Sequence, residues 1–197
     1  YLVEDDIFFD IGANVGVFTI YAAKKNKNIK VYSFEPEASN LAMLKENIIN
    51  NGIINNTLTY GIGISDSVGL SKLHLQDLTP GSALHTEDKN NIRASAEGNI
   101  PIVWKEGIYV ITLDYFCDAI KVKPNVIKID TDGNEGKILK GASNVLKSPL
   151  LKAIILEMPL DQKDDCTTIL LQSGFKLKEH GFSDSRNQIW VRDSNKE

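Results

Sequence analysis

The stretch that most constrains the fold is residues 8–16, where an apolar run ends in Asp10 and enters a turn containing two glycines. A similar pattern returns at residues 31–36, where a second apolar run ends in Glu35. A buried strand, a turn, a helix and a second buried strand form a βαβ unit, because parallel strands need a crossover connection. The two runs therefore predict a parallel sheet with Asp10 and Glu35 at the same edge.

The spacing of the first turn is Asp-x-Gly-x-x-x-Gly, which differs from the Gly-x-Gly-x-x-Gly of dinucleotide-binding folds. Gly12 allows a turn too tight for a Cβ atom, and Gly16 lets the next helix begin close to the sheet or to a ligand. Asp10 lies where a dinucleotide fold has its first glycine, and a carboxylate there would repel a diphosphate but attract an ammonium group.

S-adenosylmethionine (SAM) has the chemistry that this turn favours, since it carries an ammonium group, a carboxylate and a sulfonium but no phosphate. Glu35, at the end of the next strand, is placed to accept hydrogen bonds from ribose hydroxyls. The alternative is an ordinary turn between strand and helix, with a capping asparagine and two surface acids.

Composition and charge exclude several classes of protein. The 197 residues, 42% hydrophobic and 24% charged, suit one globular domain over residues 1–197 with a sizeable core. A net charge of −4 gives no support to a nucleic-acid partner, and no apolar run is long enough to span a membrane. Cys117 and Cys166 lack the spacing of a disulfide framework or a metal site, so we expect no metal and a cytoplasmic location.

The order of apolar and amphipathic segments predicts an α/β fold, a three-layer α/β/α sandwich around a mostly parallel seven-stranded sheet. A closing hairpin, residues 175–178 and 188–192, adds an antiparallel C-terminal strand. An inserted edge hairpin follows the third parallel strand, with an irregular strand over 70–75 that contains a bulge, because Leu73 is out of phase. The polar residues 79–99 predict a mobile loop that contacts the substrate.

Three motifs, met in order along the chain, resemble those of the FkbM-type SAM-dependent methyltransferases. They are Phe-Asp-Ile-Gly-Ala-Asn-Val-Gly at 9–16, Ser-Phe-Glu-Pro at 33–36, and Ile-Lys-Ile-Asp-Thr-Asp-Gly-Asn-Glu at 127–135, followed by Leu-Lys-Gly-Ala at 139–142. The resemblance spans residues 7–157 and implies the class I Rossmann-like methyltransferase fold. One departure is Asp132, where the family usually has the longer glutamate.

The resemblance also implies which residues bind SAM. The methionine part would be held by the first turn, through Asp10, Gly12, Ala13, Asn14 and Gly16. The ribose would be held by Glu35, together with Pro36 that follows it. The adenine would lie near Ile64, Ser65 and Asp66.

Methyl transfer is an in-line displacement, so an enzyme supplies position and, for a hydroxyl acceptor, a base. Lys128 and Asp130 lie two apart on one predicted strand and share a face, and a lysine in an apolar strand needs a partner. We predict Asp130 as general base or acceptor positioner, supported by Lys128 and Glu135. A purely structural Lys–Glu pair, with Asp130 and Asp132 capping the next helix, is equally compatible. His85, in the polar loop, is another candidate base.

The leading interpretation is a SAM-dependent methyltransferase, and the resemblance favours O-methylation of a hydroxyl on a small molecule, glycan or natural product. An RNA or protein methyltransferase is the alternative on the same fold, although the acidic balance argues against RNA. A non-catalytic SAM-binding module also stays open, whereas Asp10 disfavours a NAD-dependent oxidoreductase. Neither the acceptor nor the oligomeric state follows from the sequence.

Overall fold

The computed structural model describes residues 1–82, 101–158, 161–178 and 187–192, together with the backbone at 85–86, 94–95 and 98–99. The strands are β1 (Ile7–Ile11), β2 (Lys30–Phe34), β3 (Thr57–Tyr60), β4 (Gly63–Ile64), β5 (Gly69–Leu75), β6 (His85–Thr86), β7 (Ala94–Ser95), β8 (Gly98–Asn99), β9 (Trp104–Ile111), β10 (Val126–Ile129), β11 (Ala153–Glu157), β12 (Phe175–Leu177) and β13 (Asn187–Arg192). The helices are α1 (Val17–Lys25), α2 (Ala38–Asn50), α3 (Leu113–Ile120), α4 (Glu135–Lys140) and α5 (Lys163–Gln172).

Seven of these strands form the main sheet, in the order β12-β13-β11-β10-β1-β2-β3. Strand β13 runs antiparallel to both of its neighbours, β11 and β12, while β1 pairs in parallel with β10 and β2. The predicted seven-stranded, mostly parallel sheet with an antiparallel C-terminal strand is therefore confirmed. The strand order reverses at β1, and ligands of such sheets bind beyond the carboxyl ends of the strands at this point.

Helices cover both faces of the sheet, and neighbouring residues of β1 show this directly. Phe8 packs in one apolar cluster with Ala22 of α1 and Leu44 of α2. Phe9 points the other way and packs edge-on against Phe116 of α3, in a cluster that also contains residues of α4 and α5. Side chains alternate between the faces of a strand, so this strand is buried on both sides and the predicted three layers are confirmed.

The insertion after β3 forms a second sheet of four strands, in the order β4-β9-β5-β6. Strands β5 and β9 pair without interruption from Gly69 opposite Val110 to Leu75 opposite Trp104, so the predicted bulge is wrong. Leu73 and Leu75 are buried in the regular alternation of β5, and the residue that made the pattern look irregular is Leu70, which is 91% exposed.

The predicted loop over 79–99 falls largely on residues that the structure does not describe. Its first residues, 79–82, are described, as is the backbone of β6, β7 and β8. None of the helices in the described part of the chain has the length and apolar character needed to cross a membrane. Within the same residues, no group of three or more metal-ligating side chains lies together.

Candidate active site

A cleft opens where the strand order of the main sheet reverses, between the turns that follow β1, β2 and β10. One wall is apolar and includes Phe34 from the main sheet with Ile108 and Val110 from the second sheet. The polar residues that line the cleft come from all three turns, from α2 and from position 82: Asn14, Glu35, Asn40, Ser82, Asp130, Thr131, Asp132 and Asn134. The second sheet therefore closes one side of a site whose acidic groups follow strands of the main sheet.

The turn after β1 brings the backbone close to the turn after β10. Gly12 has φ +73°, and a Cβ atom on it would overlap the backbone carbonyl oxygen of Asp130. The amides of Gly12 and Ala13 both donate to the carbonyl oxygen of Phe34 at 3.0 Å, which ties this turn to β2. Asn14 follows in the left-handed region at φ +50°, a conformation that asparagine tolerates better than most residues.

Glu35 joins the first turn to the start of α2. Its carboxylate accepts hydrogen bonds from the backbone N–H of Asn14 at 2.8 Å and of Glu37 at 3.0 Å. Burial raises the pKa of Glu35 to about 7, although these two amides act in the opposite direction. A carboxylate has room for about four hydrogen bonds, so Glu35 lines the cleft with acceptor capacity left for ligand hydroxyls.

Asp10 lies beneath the first turn and is fully buried. Its Oδ2 accepts a hydrogen bond from the Thr19 hydroxyl at 2.6 Å, and its Oδ1, which has no hydrogen-bond partner among the described residues, lies 3.6 Å from the Lys128 ammonium. Burial raises the pKa of Asp10, and the charge of Lys128 opposes that shift. Asp10 is not among the described residues that line the cleft, so its direct contact with a cofactor stays a prediction.

Lys128 connects the two turns through its ammonium group. Nζ donates to the carbonyl oxygen of Gly12 at 2.7 Å and lies 3.4 Å from Oδ2 of Asp130. The Lys128 side chain is 5% exposed, whereas that of Asp130 is 38% exposed and lines the cleft. The structure thus brings together Lys128 and Asp130, and adds Asp10 as a second acid beside the same ammonium.

Glu135 stabilises the turn after β10 from within. Oε1 accepts from the backbone N–H and the hydroxyl of Thr131 at 2.8 and 3.1 Å, and Oε2 accepts from the N–H of Gly133 at 3.0 Å. Asp132 lies between them in the left-handed region at φ +55° and faces the cleft. These contacts favour a structural role for Glu135 over a catalytic one. The acids that Lys128 contacts are Asp10 and Asp130 rather than Glu135.

The predicted adenine region reaches the cleft through one of its three residues. Ile64 lines the cleft, and its carbonyl oxygen accepts a hydrogen bond from the side chain of Asn134 at 3.1 Å. Ser65 is fully buried and donates its N–H to Ile111, and Asp66 is exposed. Pro36 lines the cleft, whereas the side chain of the candidate base His85 lies outside the described residues.

Comparison with known proteins identifies the family of this chain. Residues 10–183 match the family model of the methyltransferase FkbM domain. The chain belongs to the FkbM methyltransferase family.

Curated relatives of this FkbM methyltransferase domain agree with that assignment. It is 28% identical to a hexuronic acid methyltransferase of Haloferax volcanii, over 82% of this chain and 60% of that protein. It is 26% identical to methyltransferase 1 of Beauveria bassiana, over 88% of this chain and 74% of the relative. A shorter match, 28% over 42% of the chain, is to the 31-O-demethyl-FK506 methyltransferase of Streptomyces tacrolimicus, of which it covers 31%. The matched part of the chain therefore spans between 31% and 74% of the length of these relatives.

Solved structures resemble the FkbM domain in fold alone. A precorrin-6y C5,15-methyltransferase from Geobacter metallireducens aligns with a TM-score of 0.52 at 14% identity, over 96% of this chain and 79% of that one. A precorrin 8w decarboxylase from Methanobacterium thermoautotrophicum aligns with a TM-score of 0.50 at 15% identity, over 95% and 80% of the two chains. Both confirm the Rossmann-like fold and carry no information about this acceptor.

Sequence reasoning missed two kinds of residue in the cleft of the FkbM domain. Asn40 lines it but belongs to none of the three motifs and is one of several polar residues in the amphipathic helix α2, whereas Ser82 lies within the predicted substrate loop. Sequence reasoning also did not place Leu73, Ile108 and Val110 of the second sheet at the cleft, which they line. The spacing of two residues between Leu73 and Leu75 and between Ile108 and Val110 was a signal that one face of β5 and β9 is covered, although it does not say by what.

Proposed function

We propose that this domain binds SAM in the cleft and transfers its methyl group to a hydroxyl of a small molecule or glycan. The observation that carries the proposal is the charge of the lining, which includes the carboxyl groups of Glu35, Asp130 and Asp132 and, among the described residues, no basic side chain. Such a lining suits a donor with an ammonium and a sulfonium group and disfavours a dinucleotide, whose diphosphate would be repelled.

In this proposal the donor lies along the reversal of the strand order. Glu35 would accept the ribose hydroxyls, the turn around Asn14 would hold the methionine part, and the adenine would lie against Phe34 and Ile64 on the apolar wall. Asp10 would act on the donor indirectly, since its charge faces the Lys128 ammonium that holds the Gly12 carbonyl oxygen.

The bound donor supplies an electrophilic methyl group, so the chain must orient a nucleophile and manage its proton. Asp130 is the candidate for this role, because its carboxylate is partly exposed at the cleft and also lies beside the buried Lys128 ammonium. Lys128 would hold Asp130 in one position relative to the first turn. Relatives named for a hexuronic acid and for 31-O-demethyl-FK506 support an oxygen acceptor on a glycan or natural product.

The test separates donor binding from methyl transfer. Calorimetric titration should show binding of SAM and of S-adenosylhomocysteine but not of NAD, and SAM labelled in its methyl group should label at least one member of a panel of hydroxylated glycans and metabolites. Binding of NAD in place of SAM would overturn the proposal. Binding of SAM without transfer to any small acceptor would favour a protein methyltransferase or a non-catalytic module.

Once an acceptor is found, Asp130→Asn tests the catalytic role. Loss of a general base should lower kcat by about a hundredfold or more while the Kd of SAM changes by less than about threefold. Asp118→Asn is the matched control, because Asp118 is an exposed acid that pairs with a lysine, Lys121, and is not among the described lining residues. Unchanged turnover in Asp130→Asn would remove Asp130 from catalysis.

A further inference from the structure

Residues 79–82 form a turn that reaches the cleft and is held there by two asparagines. The turn closes on itself where the N–H of Ser82 donates to the carbonyl oxygen of Thr79 at 2.9 Å. The N–H of Gly81 donates to the side-chain oxygen of Asn40 at 2.7 Å, and the side-chain amide of Asn14 donates to the carbonyl oxygen of Ser82 at 3.0 Å. We call residues 79–82 the strap.

Asn14 is locked in the orientation that contacts the strap. Its side-chain oxygen accepts from the N–H of Val15 at 2.7 Å, which leaves the amide NH₂ to point at Ser82. Its own backbone N–H donates to Glu35, the proposed ribose ligand. One residue therefore links the strap, the first turn and the carboxylate of Glu35.

Asn40 holds the strap from the other side. It lies in the first turn of α2 and is 1% exposed, and its backbone N–H donates to the carboxylate of Glu37, the residue that caps this helix. Because the helix and its cap position the side chain, Asn40 presents a fixed acceptor to Gly81. Both asparagines and Ser82 line the cleft, so the strap lies at the edge of the space proposed for the donor.

We propose that the strap closes the donor pocket. Asn40 and Asn14 are positioning residues that hold the strap closed and so set how long the donor stays bound. This inference rests on the proposed function, since it concerns exchange of the same donor. Donor release then requires the strap to open, which breaks the hydrogen bonds to Asn40 and Asn14. A net hydrogen bond of typical strength corresponds to about a fivefold to tenfold change in an equilibrium or rate constant.

The first experiment compares Asn40→Ala with Asn51→Ala. Asn51 belongs to the opposite end of α2, where its side chain donates to the carbonyl oxygen of Asn47 at 2.8 Å, so the control also removes a side-chain hydrogen bond but leaves the cleft intact. The dissociation and association rate constants of labelled SAM are measured by stopped flow. We expect dissociation to be about tenfold faster in Asn40→Ala and changed by less than about twofold in Asn51→Ala.

The association rate distinguishes a strap from a damaged site. An open strap leaves the pocket more accessible, so the association rate constant in Asn40→Ala should be unchanged or higher. If Asn40 merely supported the architecture of the site, its loss would speed dissociation and slow association together. That combination would overturn the proposal.

A second pair of variants acts from the strap itself and leaves α2 unchanged. Gly81 has φ +90°, a conformation that alanine adopts only with strain, so Gly81→Ala should disturb the strap even though the added Cβ atom would lie at an ordinary contact distance, 3.4 Å, from Val15. Gly52→Ala is the control, since Gly52 has φ +67° with nothing within 4 Å of the added Cβ. Both variants carry similar backbone strain, and only Gly81→Ala should speed SAM dissociation.

The outcomes separate the two proposals. If the wild-type chain binds SAM and dissociation is unchanged in both Asn40→Ala and Gly81→Ala, the strap is overturned while the donor site stands. If the wild-type chain binds no SAM, the donor site and the role of the strap are overturned together.

Discussion

The turns after β1 and β10 have similar backbones but use their acids differently. Each places a non-glycine residue in the left-handed region, Asn14 at φ +50° and Asp132 at φ +55°, and each is held by a buried glutamate that accepts backbone N–H groups. Glu35 follows the neighbouring strand and lines the cleft, whereas Glu135 begins α4 directly after the turn that it stabilises and is not among the described lining residues. The same kind of contact therefore places a carboxyl group at the cleft in one turn and only stabilises local structure in the other.

The largest expected effect comes from the point where the two turns touch. Gly12→Ala would place a Cβ atom against the backbone carbonyl of Asp130, and backbone cannot move aside as a side chain can. We expect a loss of at least about 3 kcal/mol in the free energy of unfolding, measured in urea, together with loss of SAM binding.

Gly52→Ala is the control for that substitution, because it has a similar φ and open space around the added methyl group. It should cost only about 1 kcal/mol, the strain of a left-handed alanine. Equal losses in the two variants would show that the close approach of the turns contributes nothing to stability.

The next effect tests whether the two glutamates differ in role. In Glu135→Gln one oxygen is replaced by an NH₂ group that cannot accept from Thr131 or Gly133. We therefore expect the free energy of unfolding, measured by thermal unfolding, to fall by about 1–2 kcal/mol. The Kd of SAM for the folded variant should change by less than about threefold. In Glu35→Gln the Kd should rise about tenfold or more, since a charged acceptor of ligand hydroxyls is lost. A similar change in Kd for both variants would contradict the comparison.

The smallest effect is a pH dependence of SAM binding, which we expect to arise from Glu35 beside the first turn. The pKa of Glu35 is raised from 4.5 to about 7, and ribose hydroxyls need the ionised carboxylate as acceptor. SAM should therefore bind about tenfold more weakly at pH 6 than at pH 8, by titration calorimetry.

The stability of the ligand-free chain should change in the opposite direction. The raised pKa of Glu35 favours the folded state below pH 4.5, and this contribution is lost as the pH rises through about 7. Glu35→Gln should remove both pH dependences, and a binding curve that stays pH-dependent in that variant would assign the titration to another group.

Much of the fold was predictable because its signals are local. Apolar runs such as those of β1 and β2, each followed by a turn with glycine, specify buried parallel strands wherever they occur. The bulge in β5 was predicted wrongly for the same reason, since a pattern of apolar residues does not distinguish a leucine that packs from one that faces solvent, as Leu70 does.

The sequence by itself determined the class of fold, the two turns and the family, since these follow from short motifs and from the alternation of strands and helices. Only the tertiary structure decided what the acids contact. Asp10 and Glu35 look equivalent as residues at strand ends, yet one is buried against Lys128 and the other lines the cleft. The direction of a side chain and its distant partners, such as Asn40 and Gly81, depend on how separate segments pack, which no local pattern contains.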